Sequence, residues 1–282
     1  MINFGDLSDP YCNPQDSGIV LIPVPFDATS TWVKGADRGP QAILEASANM
    51  ELYDIETGSE VFRYGIHTDL SVDAGEDPEV MVHAVQRRVS AWLEKDKYVV
   101  TIGGEHTVSV GAIRAHHQKY PGMSVLQLDA HADLRQKYLG SPYNHACVMA
   151  RVKEICPVTQ VGIRSMDAEE RKGMDPDRAF FQEKIIGEPG WMDRVTGSLE
   201  KQVYITLDLD VLDPSVMPST GTPEPGGMDW YALLDMLRRV SEEKEVVGFD
   251  VVELCPSETI KAPDFLAAKL IYKILSYVYL KR

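Results

Sequence analysis

The sequence has few basic residues for its number of acidic ones. Lys and Arg together number 28 against 43 Asp and Glu, which gives a formal net charge of −15. Binding to a nucleic-acid backbone requires a basic stripe or patch, and the sequence has none. An acidic surface raises the local concentration of cations, although it also serves solubility. We therefore predict no nucleic-acid partner, and the charge is compatible with a cationic substrate.

The sequence does not indicate a disulfide framework, a leader segment or a membrane span. The cysteines number 4 and include no Cys-x-x-Cys pair, and such a count in 282 residues does not indicate a disulfide scaffold. The first residues lack the basic and apolar segments of a secretory signal. The most apolar stretch, residues 265–280, is short and contains Lys269 and Lys273, which argues against a membrane span. We expect a cytoplasmic protein without a membrane partner.

Continuous apolar runs, rather than alternating ones, mark the predicted strands. They lie at residues 18–24, 98–102, 124–128, 158–161, 203–207 and 246–249. Such runs are typical of strands that are buried on both faces of a parallel sheet. Helical patterns lie between and after them, at residues 40–50, 78–93, 107–117, 191–199, 230–240 and 265–280. This alternation predicts an α/β fold, a three-layer αβα domain with a mainly parallel central sheet. Because no linker or repeat interrupts it, we expect a single domain over residues 1–282.

Four of the predicted strands end directly in carboxylates or imidazoles. The residues concerned are Glu105 and His106, then Asp129, His131 and Asp133, then Asp208 and Asp210, and finally Asp250 and Glu253. In sheets of this kind, functional groups gather just past the carboxyl ends of the strands. Residues two apart in an extended chain also project to the same side. The sequence therefore predicts that these side chains meet at one edge of the sheet.

The aspartates of this group require a counter-charge. Asp129, Asp133, Asp208 and Asp210 would resist ionising together unless cations lay among them. With His106 and His131 they form a mixed oxygen and nitrogen ligand set, which suits ions such as Mn²⁺. A single Asp-x-Asp or Asp-x-His is weak evidence, because an Asp at a strand end is often a helix cap. The coincidence of three such segments favours a site for two metal ions that share carboxylates.

The motifs resemble, in order and spacing, those of the ureohydrolases. This family contains the arginases, agmatinases, guanidinobutyrases, proclavaminate amidinohydrolases and formiminoglutamases. In one-letter code the motifs are GGEH at 103–106, DAHAD at 129–133, DLDVLDP at 208–214, GTPEPGG at 221–227 and Glu253, together with PFD at 25–27, RGP at 38–40 and GIRS at 162–165. The resemblance extends over about residues 18–280 and is strongest to agmatinases. It implies an arginase-like fold.

The resemblance also implies roles for individual residues. One metal ion would be held by His106, Asp129, Asp133 and Asp208, and the other by Asp129, His131, Asp208 and Asp210. The family implies Mn²⁺, two per chain, and hydrolysis of a guanidinium by water activated there. His145 matches the proton-shuttle histidine, Asp133 would relay a proton locally, and Glu253 matches the carboxylate that holds the guanidinium. His145 and Glu253 would thus contact the substrate. In place of these roles, His145 could pack a loop and Glu253 could form a strand-end ion pair.

The substrate that we expect is agmatine, cleaved to putrescine and urea. Residues 138–144 do not match the Ser-Gly-Asn-like stretch with which arginases bind an α-carboxylate, which argues against arginine. Arg135 leaves an alternative open. If it points into the cleft, it would bind the carboxylate of guanidinobutyrate or another guanidino acid; if it pairs with a nearby carboxylate, it carries no information. A non-catalytic metal-binding relative is a further alternative. The resemblance implies a homo-oligomer, a trimer or a hexamer.

Overall fold

The central element of the protein is a parallel β-sheet. A computed structural model describes residues 2–280 and places eight strands in the order β2-β1-β3-β8-β7-β4-β5-β6, with every neighbouring pair parallel. The strands are β1 (Ile19–Val24), β2 (Ile66–Thr68), β3 (Tyr98–Gly103), β4 (Ser124–Leu128), β5 (Val158–Ile163), β6 (Ala179–Phe181), β7 (Gln202–Asp208) and β8 (Glu245–Val252). The predicted α/β class with a parallel sheet is confirmed.

Helices follow most of the strands and cover the sheet. They are α1 (Gly39–Ser47), α2 (Pro78–Leu93), α3 (Val108–Lys119), α4 (Val148–Val152), α5 (Ala168–Gly173), α6 (Gln182–Ile185), α7 (Trp191–Ser198), α8 (Trp230–Glu243) and α9 (Ala262–Tyr279). Capping side chains and prolines determine where several of these helices begin. Asp77, for example, accepts the backbone N–H groups of Glu79 and Val80, and Pro78 occupies the first turn of α2. Within residues 2–280, no helix combines the length and apolar character needed to cross a bilayer.

The two faces of the sheet belong to separate apolar clusters. In β1, Leu21 packs in the cluster that contains α1, α8 and α9, whereas Val20 and Ile22 pack in the cluster that contains α2 and α3. Successive side chains of a strand point to opposite faces, so a strand covered on both sides must be apolar at every position. This arrangement explains the continuous apolar runs and gives the three layers.

Each of the predicted strands and helices is present, with ends that differ by a few residues. Among residues 2–280, five further strands and α-helices were missed: β2, β6, α4, α5 and α6. Each has only three to six residues, which is too short for a hydrophobic period to be recognised. The single domain over residues 1–282 stays a prediction.

The strand order explains how distant motifs come together. The motif-bearing strands β3, β8, β7 and β4 are the four consecutive strands at the middle of the sheet. Because they are parallel, their carboxyl ends lie side by side at one edge. Residues separated by more than a hundred positions in sequence thereby become neighbours.

Candidate metal centre

His106 lies among three carboxylates at this edge of the sheet. Its Nδ1 is 3.0 Å from Asp133 Oδ2, 3.2 Å from Asp129 Oδ2 and 3.5 Å from Asp208 Oδ2. All four side chains are buried. His106, Asp129 and Asp208 can each offer one ligand atom within 4.8 Å of the others.

A second group of ligand atoms lies beside the first. His131 Nδ1 is 2.9 Å from Asp210 Oδ2 and 3.7 Å from Asp129 Oδ1. Asp129, His131 and Asp210 again offer atoms within 4.8 Å of one another. Asp129 belongs to both groups and uses a different oxygen toward each histidine. The six residues predicted as metal ligands thus lie together, as two adjoining groups joined through Asp129.

The charges of this cluster are those of a cation site. Burial and the charge of Asp129 raise the pKa of Asp133 to about 7. Burial and the charges of Asp210 and Asp129 raise the pKa of Asp208 well above its usual range. Within residues 2–280, buried His106 Nδ1 has no hydrogen-bond partner, although carboxylate oxygens surround it. Divalent cations would neutralise the crowded carboxylates and would take the imidazole nitrogen as a ligand. The residues therefore fit two such ions.

The backbone around these ligands is irregular rather than extended. β4 ends at Leu128, and Asp133 has a φ of 53°, in the left-handed region. Leu209–Val211 form a 3₁₀ turn that begins directly after Asp208, the last residue of β7, and contains Asp210. The side chains therefore do converge, but the predicted reason, alternation along an extended chain, is wrong. Left-handed backbone at a non-glycine residue is strained and is concentrated at functional sites.

Local hydrogen bonds fix the orientation of the carboxylates. Asp129 accepts the backbone N–H of His131 at 2.6 Å and the side-chain amide of Gln127 at 2.7 Å. Asp208 accepts the N–H of Asp210 at 2.9 Å. Asp210 in turn accepts the N–H of Ala130 at 3.0 Å, which connects the ends of β4 and β7. These bonds hold the ligand oxygens in place without help from an ion.

Two further residues hold His106: Thr206, which the sequence analysis missed, and Asp250, which it placed at this edge of the sheet without a role. Its Nε2 is 2.9 Å from Thr206 Oγ1, and Thr206 Oγ1 lies 2.7 Å from Asp250 Oδ1. The single hydroxyl proton of Thr206 goes to the carboxylate, so the hydroxyl oxygen accepts Nε2–H of His106. With a cation in place of the Nδ1 proton, that tautomer directs a bare Nδ1 at the aspartates' side of the site. The available signal was a polar residue inside each of two apolar strands, Thr206 in β7 and Asp250 in β8.

Glu253 and His145 border the cleft above the metal ligands. Glu253 Oε1 accepts the N–H of His106 at 2.7 Å, and its backbone is left-handed with a φ of 67°. Burial and the charge of Glu105 raise the pKa of Glu253 well above its usual range. Burial and the charges of His131 and His106 lower the pKa of His145 to about 4, so this imidazole is neutral at pH 7.

Arg135 reaches the cleft wall but is paired there. Its Nη1 is 3.2 Å from Asp167 Oδ2, and its Nε is 3.7 Å from Glu170 Oε2. The guanidinium also lies over the Tyr138 ring at 4.7 Å. Of the two alternatives that the sequence left open for Arg135, the structure shows the paired one.

The glycine-rich segment 221–227 forms a rim of the cleft through Thr222. Arg164 donates from Nη2 to the carbonyls of Asp210 at 2.6 Å and Glu224 at 2.8 Å. Asp213 accepts the N–H of Gly226 at 2.8 Å. This framework places Glu224 Oε1 3.9 Å from His131 Nε2. The GIRS, DLDVLDP and GTPEPGG motifs thus form one scaffold that carries an acidic side chain to the mouth of the cleft.

Known proteins match this chain over nearly its whole length. The model of the arginase family matches residues 17–276. The N(1)-aminopropylagmatine ureohydrolase of Synechocystis sp. is 38% identical, and the match covers 96% of this chain and 92% of that protein. An enzyme of the same name from Thermus thermophilus is 39% identical, covering 95% and 92%. The crystal structure of agmatine ureohydrolase of Thermoplasma volcanium has a TM-score of 0.88 and 30% identity, covering 99% of this chain and 95% of that one.

Proposed function

Since the chain belongs to the arginase family and is a metal-dependent amidinohydrolase, we propose that it releases urea from a guanidino compound with a cationic far end. The candidate substrates are agmatine, which the sequence predicts, and N(1)-aminopropylagmatine, the compound in the names of relatives that are 38% and 39% identical. Both carry an amine at a distance from the guanidinium. The aminopropyl compound carries one amine more.

The observation that carries this proposal is the charge of the cleft wall. Among the described residues that line the cleft, Arg135 is the one Lys or Arg, and Asp167 and Glu170 neutralise it. A substrate carboxylate would therefore find no free cation, whereas a substrate amine would meet the one carboxylate charge of Asp167 and Glu170 that Arg135 does not balance. The carboxylates of the wall would repel the carboxylate of a guanidino acid and attract an amine. The wall therefore favours amines over guanidino acids.

The six clustered residues would hold the metal ions, which we propose to be Mn²⁺. They are His106, Asp129, His131, Asp133, Asp208 and Asp210. Two such ions would lower the pKa of water toward neutrality and offset negative charge that develops on the substrate. The ordered carboxylates described above hold this arrangement before substrate arrives.

Glu253 and His145 would act on the substrate itself. A guanidinium is planar and cationic, and hydrogen bonds to the Glu253 carboxylate would fix its carbon beside the metal ligands. When the carbon–nitrogen bond breaks, the departing amine needs a proton, which Asp133 would relay and neutral His145 would exchange with solvent. An oligomer, trimeric or hexameric, and a cytoplasmic location stay predictions.

Urea release tests this proposal. Protein incubated with Mn²⁺ is assayed with N(1)-aminopropylagmatine, agmatine, 4-guanidinobutyrate, arginine and formiminoglutamate. We expect kcat/KM for the two amines to exceed that for the acids by at least ~100-fold, because an unpaired substrate carboxylate in an acidic cleft costs several kcal/mol. Faster turnover of an acid would contradict the proposed substrate class. Two bound metal ions per chain without urea from any compound would contradict the proposed reaction.

A further inference from the structure

A threonine and a buried glutamate lie directly behind His145. Glu105 is fully buried, and its Oε2 accepts the backbone N–H of Thr29 at 2.8 Å. Both carboxylate oxygens of Glu105 lie 2.8 Å from Thr29 Oγ1. The segment that follows β1 is thereby attached to the segment that follows β3. Neither residue belongs to the metal ligands or faces the substrate in the proposal above.

The same hydroxyl oxygen contacts His145 twice. Thr29 Oγ1 accepts the backbone N–H of His145 at 3.0 Å and lies 3.2 Å from its Nδ1. A longer contact of 3.4 Å joins Thr29 Oγ1 to Thr107 Oγ1. The hydroxyl of Thr29 therefore lies between a carboxylate and an imidazole.

The protons can be assigned by counting donors. A hydroxyl has one proton and two lone pairs, and the Glu105 carboxylate can only accept once it is ionised, as at pH 8, above the value of about 7 to which burial raises its pKa. The Thr29 proton therefore goes to Glu105, and both lone pairs are left for His145. One accepts the backbone N–H, and the other requires a proton on Nδ1. In a neutral imidazole with Nδ1 protonated, Nε2 carries none.

We propose that Thr29 and Glu105 are positioning residues that hold neutral His145 in the Nδ1–H tautomer, with Nε2 left as the proton-accepting atom for the cleft that the ring borders. His106 offers an internal comparison, since Thr206 and Asp250 hold it in the opposite tautomer by the same counting. The consequence for turnover rests on the proposed function. The tautomer itself does not.

The tautomer can be observed directly by ¹⁵N NMR of histidine-labelled protein, which separates protonated from bare ring nitrogens. We would record metal-free and Zn²⁺-loaded protein at pH 8, both diamagnetic, and assign the signal with His145→Gln. Wild type and Thr29→Ser, which keeps the hydroxyl, are expected to show Nδ1–H. Thr29→Val, which keeps the shape, is expected to lose it. Ser30→Ala is the matched control, because Ser30 Oγ contacts Glu105 at 3.4 Å and makes no hydrogen bond to His145 within the described chain.

Kinetics supply an independent readout. We expect Thr29→Val to lower kcat at least ~10-fold with unchanged KM and metal content, and Thr29→Ser to restore it. Nε2–H in the wild type, or Nδ1–H retained in a folded Thr29→Val variant, would overturn the inference even if urea is released. If no substrate yields urea, the NMR result still decides the inference separately from the reaction.

Discussion

The two histidines of the metal centre lie in contrasting surroundings. The His106 side chain is 1% exposed, and Thr206 holds its second ring nitrogen. The His131 side chain is 25% exposed, and its second nitrogen faces Glu224 at 3.9 Å, which is too long for a direct hydrogen bond. The centre therefore has a closed side, defined by His106, Thr206 and Asp250, and an open side, defined by His131, Asp210 and Glu224.

The contrast separates two requirements of a hydrolytic site. On the closed side, a ligand fixed through its second nitrogen loses little freedom when an ion binds, which favours retention of the metal. On the open side, the imidazole borders the cleft, where substrate and water must enter. We infer that the ion on the open side exchanges more readily.

The largest effect is expected where the two sides join. Asp129 supplies one oxygen to each histidine, so Asp129→Asn removes a charge that both sides share. We expect loss of bound metal and a fall in turnover of roughly a thousandfold or more. Elemental analysis and urea release measure the two effects. Two ions per chain in a folded Asp129→Asn protein would show that Asp129 does not join the sides.

The next largest effect is expected from opening the closed side. Thr206→Val removes the hydroxyl that accepts Nε2–H of His106 and leaves Asp250 without one donor. Loss of such a supporting group typically weakens metal binding ~10–100-fold. We expect one of the two ions to be lost at a lower chelator concentration than in wild type, and Thr206→Ser to restore its retention. Equal chelator curves for Thr206→Val and wild type would remove the distinction between the two sides.

A smaller effect is expected from pH on the metal-free protein. Burial raises the pKa of Asp133, which the charge of Asp129 raises further, to about 7. Burial acts to lower the pKa of His131, but the charge of Asp210 and its contacts with Asp129 raise it to about 12. Both groups bind more protons in the folded state than in the unfolded state between pH 6.5 and 8, so stability falls as pH rises through this window. His145, with its pKa lowered to about 4, is neutral in the folded state throughout this window but about half protonated in the unfolded state at pH 6.5, so it opposes this trend slightly.

Thermal unfolding measures this dependence. We expect the metal-free protein to have a Tm a few degrees lower at pH 8 than at pH 6.5. Bound divalent ions replace the protons as counter-charge, so the metal-loaded protein should lose most of this dependence. A Tm of the metal-free protein that rises with pH over the same window would contradict the assigned shifts.

The parts of the site that could be predicted are those with a signal in contiguous sequence. Asp129, His131 and Asp133 follow an apolar run directly, and that run alone indicates their position at a strand end. The resemblance of the ordered motifs to a known family added His145 and Glu253. The sheet order then explains why the four motif-bearing strands are neighbours, which the sequence alone did not reveal.

The parts that could not be predicted depend on contacts between distant segments. Thr206 and Asp250 meet only because β7 and β8 pair in a register that sets them opposite each other. Thr29 lies 76 residues from Glu105 and 116 residues from His145 in the chain. The pairing of Arg135 with Asp167 likewise depends on where α5 begins. A single sequence can mark a polar residue inside an apolar strand, but it does not show which distant residue that side chain contacts.

The smallest effect is expected on the open side, at Glu224. Its side chain is 36% exposed, so solvent screens its charge and only a modest contribution to substrate binding is expected. Glu224→Gln keeps the shape of the side chain and removes its charge. Since exposed ion pairs contribute up to ~1 kcal/mol, we expect KM for N(1)-aminopropylagmatine to rise about two- to fivefold with little change in kcat.

Glu169→Gln is the matched control, because Glu169 is also exposed but pairs with Lys172. A larger rise for the aminopropyl compound than for agmatine would place the additional amine at this rim, whereas equal rises would indicate only a general attraction of cations to the mouth. A fall in kcat with unchanged KM would instead make Glu224 part of the closed, catalytic arrangement and would end the distinction drawn between the two sides.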